Sequence, residues 1–109
     1  MAAFGSVFMP QMALTRFEQG AWSTPQIVAA DSISLHPGAH VLHYASTCFE
    51  GLKAFKHSDG SINLFRMEKN VARLIQSSAL LSLPQPDAAT LSQMIIDIVK
   101  QYASDINNH

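Results

Sequence analysis

The chain has 109 residues, seven basic and eight acidic side chains, a net charge of −1, and 48% apolar against 14% charged residues. This describes one folded domain and excludes a disordered chain. It also excludes a nucleic-acid-binding stripe, for which the few scattered lysines and arginines are too sparse. Cys48 is the only cysteine, so an intrachain disulfide and a cysteine-based zinc site are ruled out and a reducing compartment fits. No apolar run approaches the roughly 20 residues that a membrane helix requires. The N-terminal stretch has neither a charged segment before a long apolar run nor the early arginines of a transit peptide, so a cytoplasmic location is expected.

In chain order, residues 11–18 alternate loosely and reach the turn signal Gln19-Gly20, and Trp22 with Ile27-Val28 suggests a returning strand, an opening hairpin. Asp31 to Gly38 reads as loop, closed by Pro37-Gly38. The apolar run Val41 to Phe49 has no clear period. Gly51 to His57 and Ser61 to Phe65 read as two strands around a polar Asp59-Gly60 turn. From Met67 the period becomes helical: Met67, Val71, Leu74, Ile75, Ser78 and Leu81 form one stripe. Burying four or five of these would contribute on the order of 10 kcal/mol before entropy is subtracted. Pro84 and Pro86 end that helix. Asp87 is the expected N-cap of a second one, with a stripe at Leu91, Met94, Ile95, Ile98, Val99 and Tyr102. The expected fold class is α+β, an antiparallel-rich sheet with two amphipathic helices on one face, and the polar tail 104–109 is expected to fray.

Few residues point to chemistry by themselves. Arg73 lies opposite the apolar stripe of its helix, with Arg66 and Lys69 on the same side, and on spacing alone this is a solvated face. Tyr44 and Phe49 read alone as core aromatics. His36, His40 and His43 would share a helix face, but Pro37-Gly38 interrupts an ordinary helix there and no acidic cluster completes a metal site. Cys48 has no basic neighbour to lower its pKa and reads as a small buried hydrophobe. Glu50 has no recognisable partner carboxylate or nucleophile.

From His36 to Pro84 several motifs follow in order: Leu42-His43-Tyr44, Phe49-Glu50-Gly51 with Lys53-Ala54, Leu64-Phe65-Arg66, and Asn70-Val71-Ala72-Arg73. This block resembles the small N-terminal domain of branched-chain aminotransferases, enzymes of the fold-type-IV class that use pyridoxal 5'-phosphate (PLP). The likeness runs from a lead-in at Phe4-Gly5, Phe8 and Met12 to the helix before Tyr102. It implies that residues 1–103 form that small domain. Arg73 would bind the cofactor phosphate, for which a guanidinium fork is suited at any working pH. Tyr44 and Phe49 would line the apolar pocket for the substrate side chain. Lys53 is structural in this comparison, and Lys56, Lys69 and Lys100 also match no cofactor-lysine motif. The family's Schiff-base lysine lies in a large domain expected outside this chain, so the isolated chain is expected to be inactive.

The implied parent activity moves the amino group of leucine, isoleucine or valine to 2-oxoglutarate, in a homodimer. No nucleic acid, membrane or metal is implied. The alternatives are another fold-type-IV enzyme, such as a D-amino acid aminotransferase or aminodeoxychorismate lyase, and a stand-alone non-catalytic dimerisation or binding module. Four positions depart from the family pattern. Ala45 and Met67 stand where glycine and proline are usual, Leu80 replaces an arginine, and Ser77-Ser78 replaces Ser-Ala.

Overall fold

The computed structural model describes residues 7–106; the Phe4-Gly5 lead-in and residues 107–109 of the tail lie outside the described residues. The opening hairpin forms in two parts. Strand β1 (Gln11–Leu14) pairs antiparallel with β4 (Gln26–Ala29), placing Met12 opposite Val28. Further along, β2 (Phe17–Glu18) pairs with β3 (Ala21–Trp22), and the turn uses Gln19 and Gly20 at φ 52° and 80°. Two consecutive left-handed residues match the twist that tight hairpins need. Between the two ladders Pro25 has no N–H to donate. Side chains add there to the one backbone bond from the Ser23 N–H to the Arg16 carbonyl at 2.7 Å: the Thr15 hydroxyl donates to the Ser23 carbonyl at 2.7 Å, and the Arg16 N–H donates to Ser23 Oγ at 2.9 Å.

After the loop 31–39 a single helical turn forms, α1 (His40–His43), which covers the start of the Val41 to Phe49 run that sequence left unassigned. It starts only beyond Pro37-Gly38, as the proline restriction requires. His36 Nδ1 accepts from the Gly38 N–H at 2.9 Å, and His43 Nε2 donates to the Pro37 carbonyl at 2.7 Å. Ala45 then leaves the turn at φ 53°. Strands β5 (Ala54–Lys56) and β6 (Ile62–Leu64) are shorter than expected, with Phe55 opposite Asn63. Their turn is fixed by the Asp59 carboxylate, which accepts from the Ser61 N–H at 2.9 Å and its hydroxyl at 2.6 Å. Gly60 there has φ 89°.

Helix α2 spans Met67–Leu80 and α3 spans Ala88–Gln101. The first ends with Ser82 at φ 57°, the Ser82 N–H donating to Ala79 O at 3.1 Å and the Leu83 N–H to Ser78 O at 2.8 Å. This double bond pattern satisfies carbonyls that a helix end otherwise leaves open. Asp87 caps α3 as expected: its carboxylate accepts from the Thr90 N–H and hydroxyl, both at 2.9 Å. Ala103–Asp105 adds a short 3-10 turn.

The α+β class holds, but the strands do not join into one sheet. They form three separate two-stranded antiparallel ladders. At Arg66 a φ of 57° turns the chain out of β6 and directly into α2. Helix α3 packs against both α2 and β1. The core is smaller than the stripes suggested. Among the described residues only Val71, Met94 and Ser78 are buried, Leu74 and Ile75 are half-buried, and Leu81 is exposed in the turn after α2. Between the β5–β6 hairpin and the two helices lies a cleft of about 400 Å³, lined by Leu64, Leu74, Ile95 and Val99 with Glu50 and Asn70. Among the described residues no helix is long and apolar enough to cross a membrane.

Candidate functional site

Arg73 sits two residues past the buried Val71, about 200° around α2, so its side chain projects away from the helix–helix contact. Its Nε donates to Glu50 Oε2 at 2.8 Å, and its Nη2 donates to Oε1, a bidentate ion pair. Asn70, nearly one turn earlier, donates from Nδ2 to the same Oε1 at 3.0 Å and to the Gly51 carbonyl at 2.8 Å. Two motifs that stand 20 residues apart in sequence therefore close on each other through one carboxylate.

The two partners are unequally covered: the Arg73 side chain is 68% exposed and that of Glu50 only 13%. The hydrogen bond from Arg73 holds the Glu50 carboxyl below its usual 4.5, against the opposing effect of desolvation. The same bond pushes Arg73 further above its already high ordinary value. Only two of the five guanidinium N–H groups are spent on Glu50, which leaves three for another acceptor. Arg66, Lys69, Asn70, Arg73 and Gln76 line a shallow groove of about 430 Å³ along α2, cationic at three positions. That donor set fits a phosphate group.

Tyr44 and Phe49 are placed differently. Tyr44 is 74% exposed, edge-on to His40 with ring centroids 5.2 Å apart, and Phe49 is 90% exposed. Neither borders the apolar cleft or the cationic groove. Phe49 nonetheless precedes Glu50 directly, so the segment that carries it is pinned to α2. Leu80 is 78% exposed, as its position on the polar side of the helix predicts. Lys53 Nζ lies over the Phe55 ring at 5.2 Å from its centroid. Cys48 is half-buried rather than buried, with Sγ 3.6 Å from the Ser78 hydroxyl. Among the described residues no three His, Cys, Asp or Glu side chains gather into a metal-sized group.

Glu50 is the residue that sequence reasoning passed over. One signal was available: a carboxylate set between Phe49 and Gly51-Leu52, in an apolar segment where an unpaired charge is costly.

No family model matches the chain. Individual proteins do, over nearly its whole length. A mitochondrial branched-chain-amino-acid aminotransferase of Schizosaccharomyces pombe is 39% identical over 93 residues, 84% of this chain and 22% of that protein. The cytosolic enzyme of Rattus norvegicus is 37% identical over 98 residues, 89% of this chain and 24% of that protein. A probable branched-chain-amino-acid aminotransferase of Streptomyces coelicolor is 39% identical over 99 residues, 90% of this chain and 27% of that protein. By this likeness across distant organisms the chain belongs to the branched-chain-amino-acid aminotransferase family, and it spans about a quarter of the length of the curated relatives it matches.

Proposed function

We propose that this chain is the small domain of a fold-type-IV aminotransferase that moves the amino group of leucine, isoleucine or valine to 2-oxoglutarate with PLP, as a cytoplasmic homodimer. The observation that carries the reading is the junction of Asn70 and Arg73 with Glu50 and Gly51. It makes one site of motifs that sequence only placed in order, and it leaves guanidinium N–H groups facing a cationic groove.

In this reading Arg73 holds the cofactor phosphate, with Arg66 and Lys69 adding positive field along the groove. Asn70 and Glu50 fix where the 45–53 segment meets α2, and so where Phe49 starts. Tyr44 and Phe49 serve as wall residues for a branched aliphatic side chain, which a pocket can reward only through apolar contact. Bound PLP supplies the electron sink for amino-group transfer, a capacity that no side chain has. The lysine that would hold it covalently is expected beyond this sequence, and the 109-residue chain alone is expected to be silent with leucine and 2-oxoglutarate.

The test is the coding frame downstream of His109 and the donor preference of the polypeptide it encodes. Turnover of leucine, isoleucine and valine supports the proposal. A preference for D-alanine, or a stop codon directly after His109, overturns it in favour of another fold-type-IV activity or of a non-catalytic module.

A further inference from the structure

We propose that Glu50 sets the anion affinity of Arg73: its carboxylate occupies the Nε–Nη2 edge of the guanidinium and offsets its charge, so a phosphate monoester must either displace Glu50 or take the remaining Nη edge beside a negative group. The inference rests on the reading of Arg73 as the phosphate ligand and adds to it an affinity-determining residue.

Three observations carry it. The Nε and Nη2 groups of Arg73 both point at Glu50, which is the forked geometry that suits either a carboxylate or a phosphate. The carboxylate is the fixed partner, because it is 13% exposed and also holds the Asn70 amide at 3.0 Å. The guanidinium is the partner able to move, being 68% exposed and held by no described acceptor besides Glu50. Arg73 can therefore leave without stranding Glu50, which keeps its bond from Asn70.

The surrounding charges do not offset this competition. Arg66 and Lys69 lie on the groove side and are cationic, so they attract the anion and do not contend for Arg73. On the cleft side Glu50 faces Leu64 from β6, Leu74 from α2, and Ile95 and Val99 from α3, and no other residue lining that cleft is charged. Loss of the Glu50 charge thus loosens the hold on the fork and, among the described residues that line the cleft and the groove, removes the only negative group. Acid acts in the same direction, since protonation of Glu50 releases Arg73.

The experiment is a titration of the full 109-residue chain with inorganic phosphate, followed by the Arg73 Nε–H and backbone amide NMR signals. Between about pH 3 and pH 6 phosphate is a monoanion, so its own charge is constant across the series. E50Q is expected to bind phosphate about three- to fivefold more tightly than wild type at pH 6, the scale of one exposed ion pair. Wild type is expected to approach the E50Q affinity as pH falls, while E50Q changes much less. E50D, which keeps the charge but shortens the reach, is expected to lie between them and serves if E50Q does not fold. Equal or weaker binding by these variants, with binding still lost in R73A, overturns the competition and leaves the Arg73 reading standing. Unchanged binding in R73A overturns the Arg73 reading, and this inference with it.

Discussion

Trp22 donates its indole N–H to the backbone carbonyl of Gln85, 3.0 Å away and 63 residues further along the chain. The bond joins the opening ribbon to the proline-rich link between α2 and α3, beside a small pocket where Thr15 and Trp22 meet Pro86, Leu91 and Met94. Trp22 itself is only partly covered there, at 38% exposed. Trp22→Phe keeps an aromatic against Phe17 and removes the donor together with part of the ring surface that lines the pocket with Pro86 and Met94. It is expected to cost about 0.5–1.5 kcal/mol, read by circular dichroism during urea unfolding. An unchanged midpoint would show that the ribbon docks without this bond.

Ala45 occupies a left-handed backbone conformation, φ 53°, at a position where the family motif usually has glycine. A Cβ there clashes with the following carbonyl, and glycine avoids the clash. Ala45→Gly should stabilise the chain by about 0.5–1 kcal/mol, and Ala45→Val should destabilise it. Thermal melts of the pair give the sign directly. A loss of stability in the glycine variant would place the cost of unfolded-chain entropy above the strain.

Met94 and Leu80 separate the two sides of the helical layer. Met94 is one of the few buried apolar residues, and truncation to alanine is expected to cost about 2–4 kcal/mol through lost contacts and a residual cavity. Leu80→Gln, at an exposed site, should fall within about 0.5 kcal/mol of wild type and reduce self-association. Chemical denaturation and sedimentation measure the two effects. A large stability loss at Leu80 would mean that this face is covered in solution.

Acid should weaken the Glu50–Arg73 junction in a defined direction. The folded-state value of Glu50 is lowered from 4.5, chiefly by the Arg73 hydrogen bond. Its contribution to stability is therefore fully present above the ordinary carboxylate range and is lost as pH falls through the lowered folded value. Comparing the pH dependence of stability in wild type and Glu50→Gln isolates this part. Identical slopes below pH 4.5 would show that the ion pair does not stabilise the fold.

Cofactor alone should not raise the melting temperature of this chain visibly. A ligand at ~100 Kd stabilises its target by about 2.7 kcal/mol, which a melt resolves easily. One edge of Arg73 is engaged by Glu50, and an exposed groove with no lysine to hold the cofactor covalently is a weak site for PLP. A clear rise with PLP that disappears in Arg73→Ala would prove this expectation wrong.

Local rules account for what the sequence by itself determined. The helical period marked α2 and α3, Asp87 marked a cap, and Asp59-Gly60 and Gln19-Gly20 marked turns, because each is decided by neighbours within a few residues. The polar side of α2, with Arg73 and the exposed Leu80, followed from the same period. Motif order identified the family that the relatives then showed.

Contacts between distant segments were decided only in three dimensions. Three ladders stand in place of one sheet: the two parts of the opening hairpin differ in register by one residue around Pro25, and the β5–β6 pair leads straight through the left-handed Arg66 into α2. Glu50 had no visible partner in sequence because its partners, Asn70 and Arg73, lie on a helix that begins 17 residues later, and only folding brings a costly apolar-flanked carboxylate to the amide and the guanidinium that satisfy it.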